Sequence, residues 1–320
     1  RLLPQTWAPD APFRKQVVKF GGFRVVSEMT ASEQLLLARP DVVRRTCRHH
    51  GDSPWIVQLA GRDPGHMEGG ARLLAETGVD QIDINMGCPS RKVTGGLSGS
   101  ALMREPQLAA EIIAATLAGA GDVPVTLKMR LGWDHASLNA PELGAMAERL
   151  GVQQLTVHGR TRCQFYKGTA DWARISDTVF AVDIPVIANG DIATIDDARR
   201  ALADSNAAGI MVGRAAVGRP WLPAQIQAQL AGLVFPDPDC ETRFESLEEQ
   251  ILDAADLYGP QLGVRITRKH IAAAIADAPI DICPQTRRTL QSSACQIAEP
   301  DALIDALRGI FLVSTPRRAA

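Results

Sequence analysis

The sequence predicts an α/β fold, a (β/α)8 TIM barrel followed by a small all-α helical domain, and three features carry that expectation. Short apolar runs rich in β-branched residues recur at fairly regular distances as far as residue 212. Amphipathic stretches bounded by helix-start and helix-stop residues lie between them. Beyond residue 230 the strand-like runs cease and helical periodicity continues alone.

The strand-like runs fall at residues 1–3, 23–27, 55–59, 81–85, 124–129, 154–157, 185–188 and 209–212. Most read as unbroken hydrophobic stretches such as IDIN, VTLKM and PVIANG, without in/out alternation, as parallel strands covered on both faces do. Residues 66–77 follow Asp63-Pro64, a helix-start signal, and stop at Gly78. Residues 106–118 carry Leu108, Ile112, Ile113 and Leu117 at helical spacing before Gly119. Residues 141–150 end at Gly151, and residues 194–203 open on a Thr-Ile-Asp-Asp run that suits an N-cap. Eight strands alternating with helices over about 215 residues is the arithmetic of a barrel. A doubly wound sheet competes, but it has about five or six strands and a glycine fingerprint after the first, which is absent here.

Residues 231–240 hold two prolines and a glycine, and mark a boundary. Four helical stretches follow, at residues 241–258, 264–276, 285–297 and 300–312, separated by Gly259-Pro260, by Pro279 and Pro284, and by Glu299-Pro300. The expected organisation is a catalytic barrel over residues 1–235 and a helical domain over residues 241–320. The first helix of that domain is acidic (Glu241, Glu245, Glu248, Glu249, Asp253, Asp256), and with the positive charge that follows it this split marks a solvated face or, alternatively, a polyanion-facing side. Positive charge comes later, at Arg265, Arg268, Lys269, His270, Arg287 and Arg288.

Composition narrows the classes. Hydrophobic residues at 46% and charged residues at 22% exclude a disordered or collagen-like chain. No apolar run reaches the ~18 residues of a membrane span. A formal charge of −2 means that nucleic-acid contacts must come from local patches. Six scattered cysteines with no CxxC pair argue against a metal site and against a stapled secreted scaffold. With no signal-peptide pattern, the expected compartment is cytoplasmic, with neither membrane nor metal as partner.

In a barrel the reacting groups lie at the C-terminal ends of strands. Here those ends deliver Gln58, then Asn85 and Cys88, Lys128 and Arg130, His158 and Arg160, Asn189 and Asp191, and Gly213 and Arg214. Asn189-Gly190-Asp191 and Gly213-Arg214-Ala215 have phosphate character: glycine lets backbone N–H groups approach an anion, and a helix N-terminus adds partial positive charge. Tight turns explain either glycine alone. Lys128, on an apolar strand, needs an anionic partner or must lose its proton. That partner is either a structural carboxylate, Asp83 or Asp191, or a cofactor that becomes anionic, such as a reduced flavin. Gln58, Asn189 and His158 are placed to bond the edge of such a ring. Cys88 follows its strand directly and precedes a glycine-rich loop; a thiol with pKa near ~8.5 can act as general acid, with nucleophile and packing residue as alternatives.

Longer motifs then join these strand ends: VQLAG at residues 57–61, DINMGCP at 83–89, Lys92-Val93, GSALM at 99–103, VTLKMRLGW at 125–133, VHGRTRCQFYKG at 157–168, Ala170-Asp171-Trp172, PVIANGDI at 185–192 and MVGRAAVGRPW at 211–221. Together they resemble the tRNA-dihydrouridine synthase family across residues 23–222. The MGCP, KV and RCQFYKG wording resembles its bacterial B-type subfamily. The resemblance implies an FMN-bound barrel and a helical domain that grips tRNA, as a monomer that uses NADPH to reduce one D-loop uridine to 5,6-dihydrouridine. It implies Cys88 as the acid that protonates C5 while flavin N5 delivers hydride to C6, with Asn85 beside the flipped base. Gln58, Lys128 and His158 would hold the isoalloxazine, and Asn189, Gly190, Asp191, Gly213 and Arg214 the ribityl phosphate. Pro4, Gln5 and Thr6 would lie along the flavin. Arg160, Arg162, Lys167, Arg265, Arg268 and Lys269 would contact RNA phosphates, with plain surface charge as the alternative.

The chain departs from the family pattern twice. Gln5 and Trp7 stand where the family has Met and Gly, and Arg268-Lys269-His270 is followed by Ile-Ala-Ala-Ala-Ile in place of aromatic residues. Two other functions fit a barrel with these strand ends: an FMN reductase of free pyrimidines, and a flavin-free barrel that binds RNA or a regulatory partner.

Overall fold

Among the described residues nine parallel strands build the sheet: β1 (Gln5–Trp7), β2 (Arg24–Val26), β3 (Thr30–Ala31), β4 (Trp55–Ala60), β5 (Gln81–Met86), β6 (Val125–Arg130), β7 (Leu155–His158), β8 (Val186–Asn189) and β9 (Gly209–Val212). The computed structural model describes residues 5–7, 10–22, 24–48, 51, 53–95 and 97–313. The sheet closes on itself, because β1 pairs with both β2 and β9 while β2 pairs with β4. One position of the eightfold ring is shared by two short strands. β2 pairs with the start of β4 (Val26↔Ile56) and β3 with its end (Thr30↔Leu59). The break between them carries Glu28. The expected strand at residues 1–3 lies outside the described residues, and the first observed strand begins at Gln5.

The expected lack of alternation is corrected by the structure. On β5, Ile82, Ile84 and Met86 pack outward into the main apolar core, whereas Gln81, Asp83 and Asn85 form the other phase of the strand. β6 repeats this, with Val125, Leu127 and Met129 outward and Thr126, Lys128 and Arg130 in the opposite phase. The inward phase is buried too, and so reads as hydrophobic context, but much of it is polar and satisfied by partners on neighbouring strands. Val26, Ile56, Ile187 and Met211 supply a small apolar plug among these groups.

Among the described residues fourteen α-helices cover the sheet and extend beyond it. The first four are α1 (Ala11–Lys19), α2 (Ser32–Leu36), α3 (Pro40–Thr46) and α4 (Pro64–Glu76). Then come α5 (Arg91–Thr94), α6 (Pro106–Ala120), α7 (Ala140–Leu150), α8 (Ile175–Val179), α9 (Ile195–Ser205) and α10 (Leu222–Leu230). The chain continues as α11 (Cys240–Tyr258), α12 (Pro260–Asp277), α13 (Pro284–Gln296) and α14 (Pro300–Arg308). Their starts follow the sequence signals. Asp63 accepts the N–H of His66 at 2.8 Å to cap α4, and Thr194 with Asp197 forms a capping box on α9.

Helices α11–α14 enclose an apolar cluster of their own, centred on Phe244, Ile251, Val264, Ile271, Leu303 and Phe311. Charge fastens this bundle to α1. Lys15 lies 2.9 Å from Glu249 and 2.8 Å from Asp253, and Lys19 lies 2.6 Å from Glu249. Part of the acidic face of α11 thus meets the barrel's basic helix, with Glu249 and Asp253 each still 31% exposed, so this face is only partly solvated. Ser246 donates to Gln16 at 2.9 Å, and the ring of His270 sits 4.4 Å from that of Phe13.

Candidate active site

A cavity of about 600 Å³ opens at the C-terminal ends of the strands. Ten of the residues expected from the sequence line it: Gln58, Asn85, Cys88, Lys128, His158, Asn189, Gly190, Asp191, Gly213 and Arg214. They come from β4–β9 and the turns after them, so closure of the sheet alone brings together groups far apart in the chain.

On one wall, Asn85 is committed in two directions. Its Nδ2 donates to Gln58 Oε1 at 2.7 Å, while its Oδ1 accepts the backbone N–H groups of Gly87 at 3.2 Å and Cys88 at 3.0 Å. Asn85 therefore shapes the turn that presents Cys88. Ser100 braces the other side, donating to the Cys88 carbonyl from its backbone N–H at 3.1 Å and its hydroxyl at 2.8 Å. This close approach requires Gly99, whose φ is +61° and where a Cβ would stand 2.9 Å from the Cys88 carbonyl oxygen. The Cys88 side chain remains partly accessible on the cavity wall.

Cations gather beside it, on the strand that pairs Lys128 with Asn85. Lys128 keeps an accessible face to the cavity and makes no hydrogen bond or ion pair among the described residues. Burial, then the nearby Arg130, lowers its pKa to about 8, against the attraction of Asp83. Arg130 is buried and donates to the carbonyls of Gly87 at 2.7 Å and of Thr161 and Phe165 at 2.9 Å. It ties the Cys88 turn to the loop after β7. Burial and the surrounding Lys128, Arg130, Arg160 and Arg214 hold His158 well below the ordinary histidine range, so its ring is neutral at pH 7.

Two expected roles change at the ends of β7 and β8. Arg160 was expected to meet RNA phosphate, but its side chain is only 2% exposed. It pairs with Asp191 through both carboxylate oxygens and donates to the Gly168 carbonyl at 2.7 Å. Asp191 also accepts the N–H of Ala170 at 2.8 Å and lies 3.4 Å from Arg214. A carboxylate repels phosphate, so Asp191 fits a role in holding these arginines. Gly190 beside it has φ +115°, and a Cβ there would meet His158 at 3.1 Å and Ala170 at 2.9 Å. Asn189 Nδ2 donates to the Met211 carbonyl at 2.8 Å, joining β8 to β9.

The expected helix after Gly213 is a single 3-10 turn, Arg214–Ala216, and α10 begins only at Leu222. A turn this short carries little macrodipole. Its capacity for anions rests on backbone N–H groups and on the Arg214 side chain, which is 60% exposed.

Arg162, Lys167, Arg268 and Lys269 do not line the cavity. Arg162 stacks over Trp133 at 4.4 Å and Phe165 at 4.8 Å, Lys167 is exposed, and Arg268 and Lys269 lie on α12. Pro4 is outside the described residues, as are the side chains of Gln5 and Thr6. Sequence reading missed Glu28, Met29, Arg45 and Tyr166 on the cavity wall. Tyr166 lies within the conspicuous RCQFYKG motif, and Arg214 stands 4.7 Å over its ring. Glu28, 3.7 Å from Arg45, carried no comparable signal. All six cysteines are free, and among the described residues no cluster suits a metal ion and no helix is long and apolar enough to cross a membrane.

Similarity to known proteins agrees with this geometry. A probable tRNA-dihydrouridine synthase of Rhodobacter capsulatus is 46% identical over 314 residues, 97% of this chain and 94% of its own. The tRNA-dihydrouridine synthase B of Pseudomonas putida is 42% identical over 281 residues, 87% of this chain and 82% of its own. Among solved structures, histamine dehydrogenase from Rhizobium sp. 4-9 matches with a TM-score of 0.53 at 14% identity, over 79% of this chain and 50% of that one. The chain thus spans half the length of that protein, and the likeness carries the fold alone. The family model described as dihydrouridine synthase matches residues 2–308, and the chain belongs to that enzyme family.

Proposed function

We propose that this protein is an FMN-dependent tRNA-dihydrouridine synthase that reduces a specific D-loop uridine of tRNA to 5,6-dihydrouridine with NADPH. The observation that carries the reading is one cavity lined both by an accessible thiol, Cys88, and by Lys128, a cation with no hydrogen bond or ion pair among the described residues. The donor set fits FMN. Lys128 offers positive charge to the pyrimidine side of the ring, neutral His158 and Gln58 offer polar atoms to its edge, and Gly190, Gly213 and Arg214 offer backbone N–H groups and a guanidinium to the phosphate. Asn189 and Asp191 shape that phosphate end, and the backbone of Pro4, Gln5 and Thr6 belongs to the same proposed contact. FMN, if bound there and reduced by NADPH, would supply the hydride for C6 of the uracil.

The protein's own residues do the rest. Cys88 donates its thiol proton to C5 as the C5–C6 double bond accepts hydride at C6, and solvent returns the proton to the thiolate. Asn85 and Ser100 hold the Cys88 backbone still during that transfer. The target base must leave its stack to enter the cavity. Residues 241–320 form the proposed tRNA-recognition domain beside a catalytic barrel over residues 1–235, with Arg162, Lys167, Arg268 and Lys269 against phosphates. Arg160 leaves this set because its donors are filled. We propose a cytoplasmic monomer. The test is to incubate the purified protein with FMN, NADPH and tRNA lacking dihydrouridine, and to digest the tRNA for nucleoside mass spectrometry. Dihydrouridine at one D-loop position supports the reading; unmodified tRNA beside protein that has retained FMN contradicts it.

A further inference from the structure

Beneath the cavity floor, hydrogen-bond donors converge on one buried carboxylate. Thr126 Oγ1 donates to Asp83 Oδ1 at 2.6 Å, and Gln58 Nε2 donates to Asp83 Oδ2 at 2.6 Å. Thr126 reverses only at a cost, because its oxygen already accepts Gln81 Nε2 at 2.9 Å and its buried proton would lose the acceptor it has on Asp83. Gln58 is held too, because its Oε1 accepts Asn85 Nδ2 at 2.7 Å. Asn85 is fixed in turn by the N–H groups of Gly87 and Cys88 on its Oδ1. An amide has one donor end and one acceptor end, so the orientation of each member dictates that of the next. The whole series is buried, where a mismatched polar contact is costly.

We propose that Asp83 is a positioning residue for the acid: as the common acceptor it sets the amide orientation of Gln58, through Gln58 that of Asn85, and through Asn85 the presentation of Cys88. This role rests on the reading of Cys88 as proton donor, but the hydrogen-bond relay can be measured apart from turnover. Asp83→Asn places an N–H where Thr126 or Gln58 already donates. If Gln58 turns to suit it, Asn85 must turn as well and then meets the N–H of Cys88 donor to donor. Gln58→Glu instead sets a carboxylate against Asp83. The exchanged pair, Asp83→Asn with Gln58→Glu, restores a matched series: Asn at 83 donates to Glu at 58, which still accepts from Asn85.

The readout is the iodoacetamide alkylation rate of the peptide carrying Cys88, followed by mass spectrometry in each variant, with single-turnover uridine reduction measured alongside. Each single substitution is expected to change Cys88 alkylation by about threefold or more and to slow uridine reduction about tenfold, while the exchanged pair returns alkylation to within about twofold of the parent. Parent-like alkylation and reduction in Asp83→Asn overturns the proposal, as does an exchanged pair no closer to the parent than the single variants. Should Asp83→Asn fail to fold, a folded exchanged pair with parent-like alkylation supports the proposal and an unfolded one overturns it. Recovery in the pair together with normal uridine reduction by Cys88→Ala leaves the relay standing and removes only the acid assignment.

Discussion

Arg130 Nε donates to the carbonyl of Gly87 at 2.7 Å, one residue before Cys88. The same guanidinium reaches the carbonyls of Thr161 and Phe165, so the turn carrying the thiol and the loop carrying Tyr166 move as one unit. Cys88 is therefore presented on a rigid frame. Cys88→Ala is expected to retain FMN and its reduction by NADPH, and to slow uridine reduction by about 10²–10⁴-fold, the usual worth of a positioned acid. Rapid-mixing absorbance separates the two half-reactions. Normal uridine reduction by Cys88→Ala contradicts the assignment.

Lys128 carries a pH prediction. Its pKa is lowered to about 8, by burial first and Arg130 second, so the cation is present below that pH and is lost as pH rises through it. FMN affinity should accordingly fall above pH 8, by at most about tenfold per pH unit for one coupled proton. Lys128→Met should bind FMN weakly at pH 7 and show no such fall. Fluorescence titration across pH 6–10 measures both, and a parallel decline in the variant assigns the effect elsewhere.

Asp191→Ala strands the guanidinium of Arg160, which is 2% exposed, without its carboxylate. Removing one partner of a buried pair costs about 3–5 kcal/mol; Asp191 is 30% exposed, so the low end, about 3 kcal/mol, is expected. Urea unfolding reads this directly. A change below about 1 kcal/mol, the worth of a surface pair, means that Arg160 finds another acceptor.

His270 links acid stability to the contact between α12 and α1. Burial, then Lys269, lowers its pKa to about 3. The unfolded chain takes up a proton near pH 6.5 and the folded one only near pH 3, so this contribution is intact above pH 6.5 and is lost as pH falls toward 3. His270→Phe removes it. Between pH 7 and pH 4 the variant should gain about 3 kcal/mol on the parent. Parallel stability curves would refute this.

The sequence made the barrel legible because each strand is short, buried and bounded by turn residues, and the strand-end side chains stand directly after those runs. Gln58, Asn85, Cys88, Lys128 and His158 stand at such ends and line one cavity. Three things were not legible. The partners of inward polar residues lie on other strands: Asp83, expected only as an ion-pair partner of Lys128, accepts from Gln58 and Thr126. Arg160 looks like surface charge until Asp191, thirty-one residues away, is brought against it by the pairing of β7 with β8. Glu28 sits in the break between β2 and β3, which arises only because two strands share one place beside β4.

FMN binding by flavin-free protein tests the central claim most directly. Isothermal titration at pH 7, followed by gel filtration and an absorbance spectrum, should show one FMN per chain with micromolar or tighter affinity, about −8 kcal/mol or better. Folded protein that emerges colourless from excess FMN would contradict it.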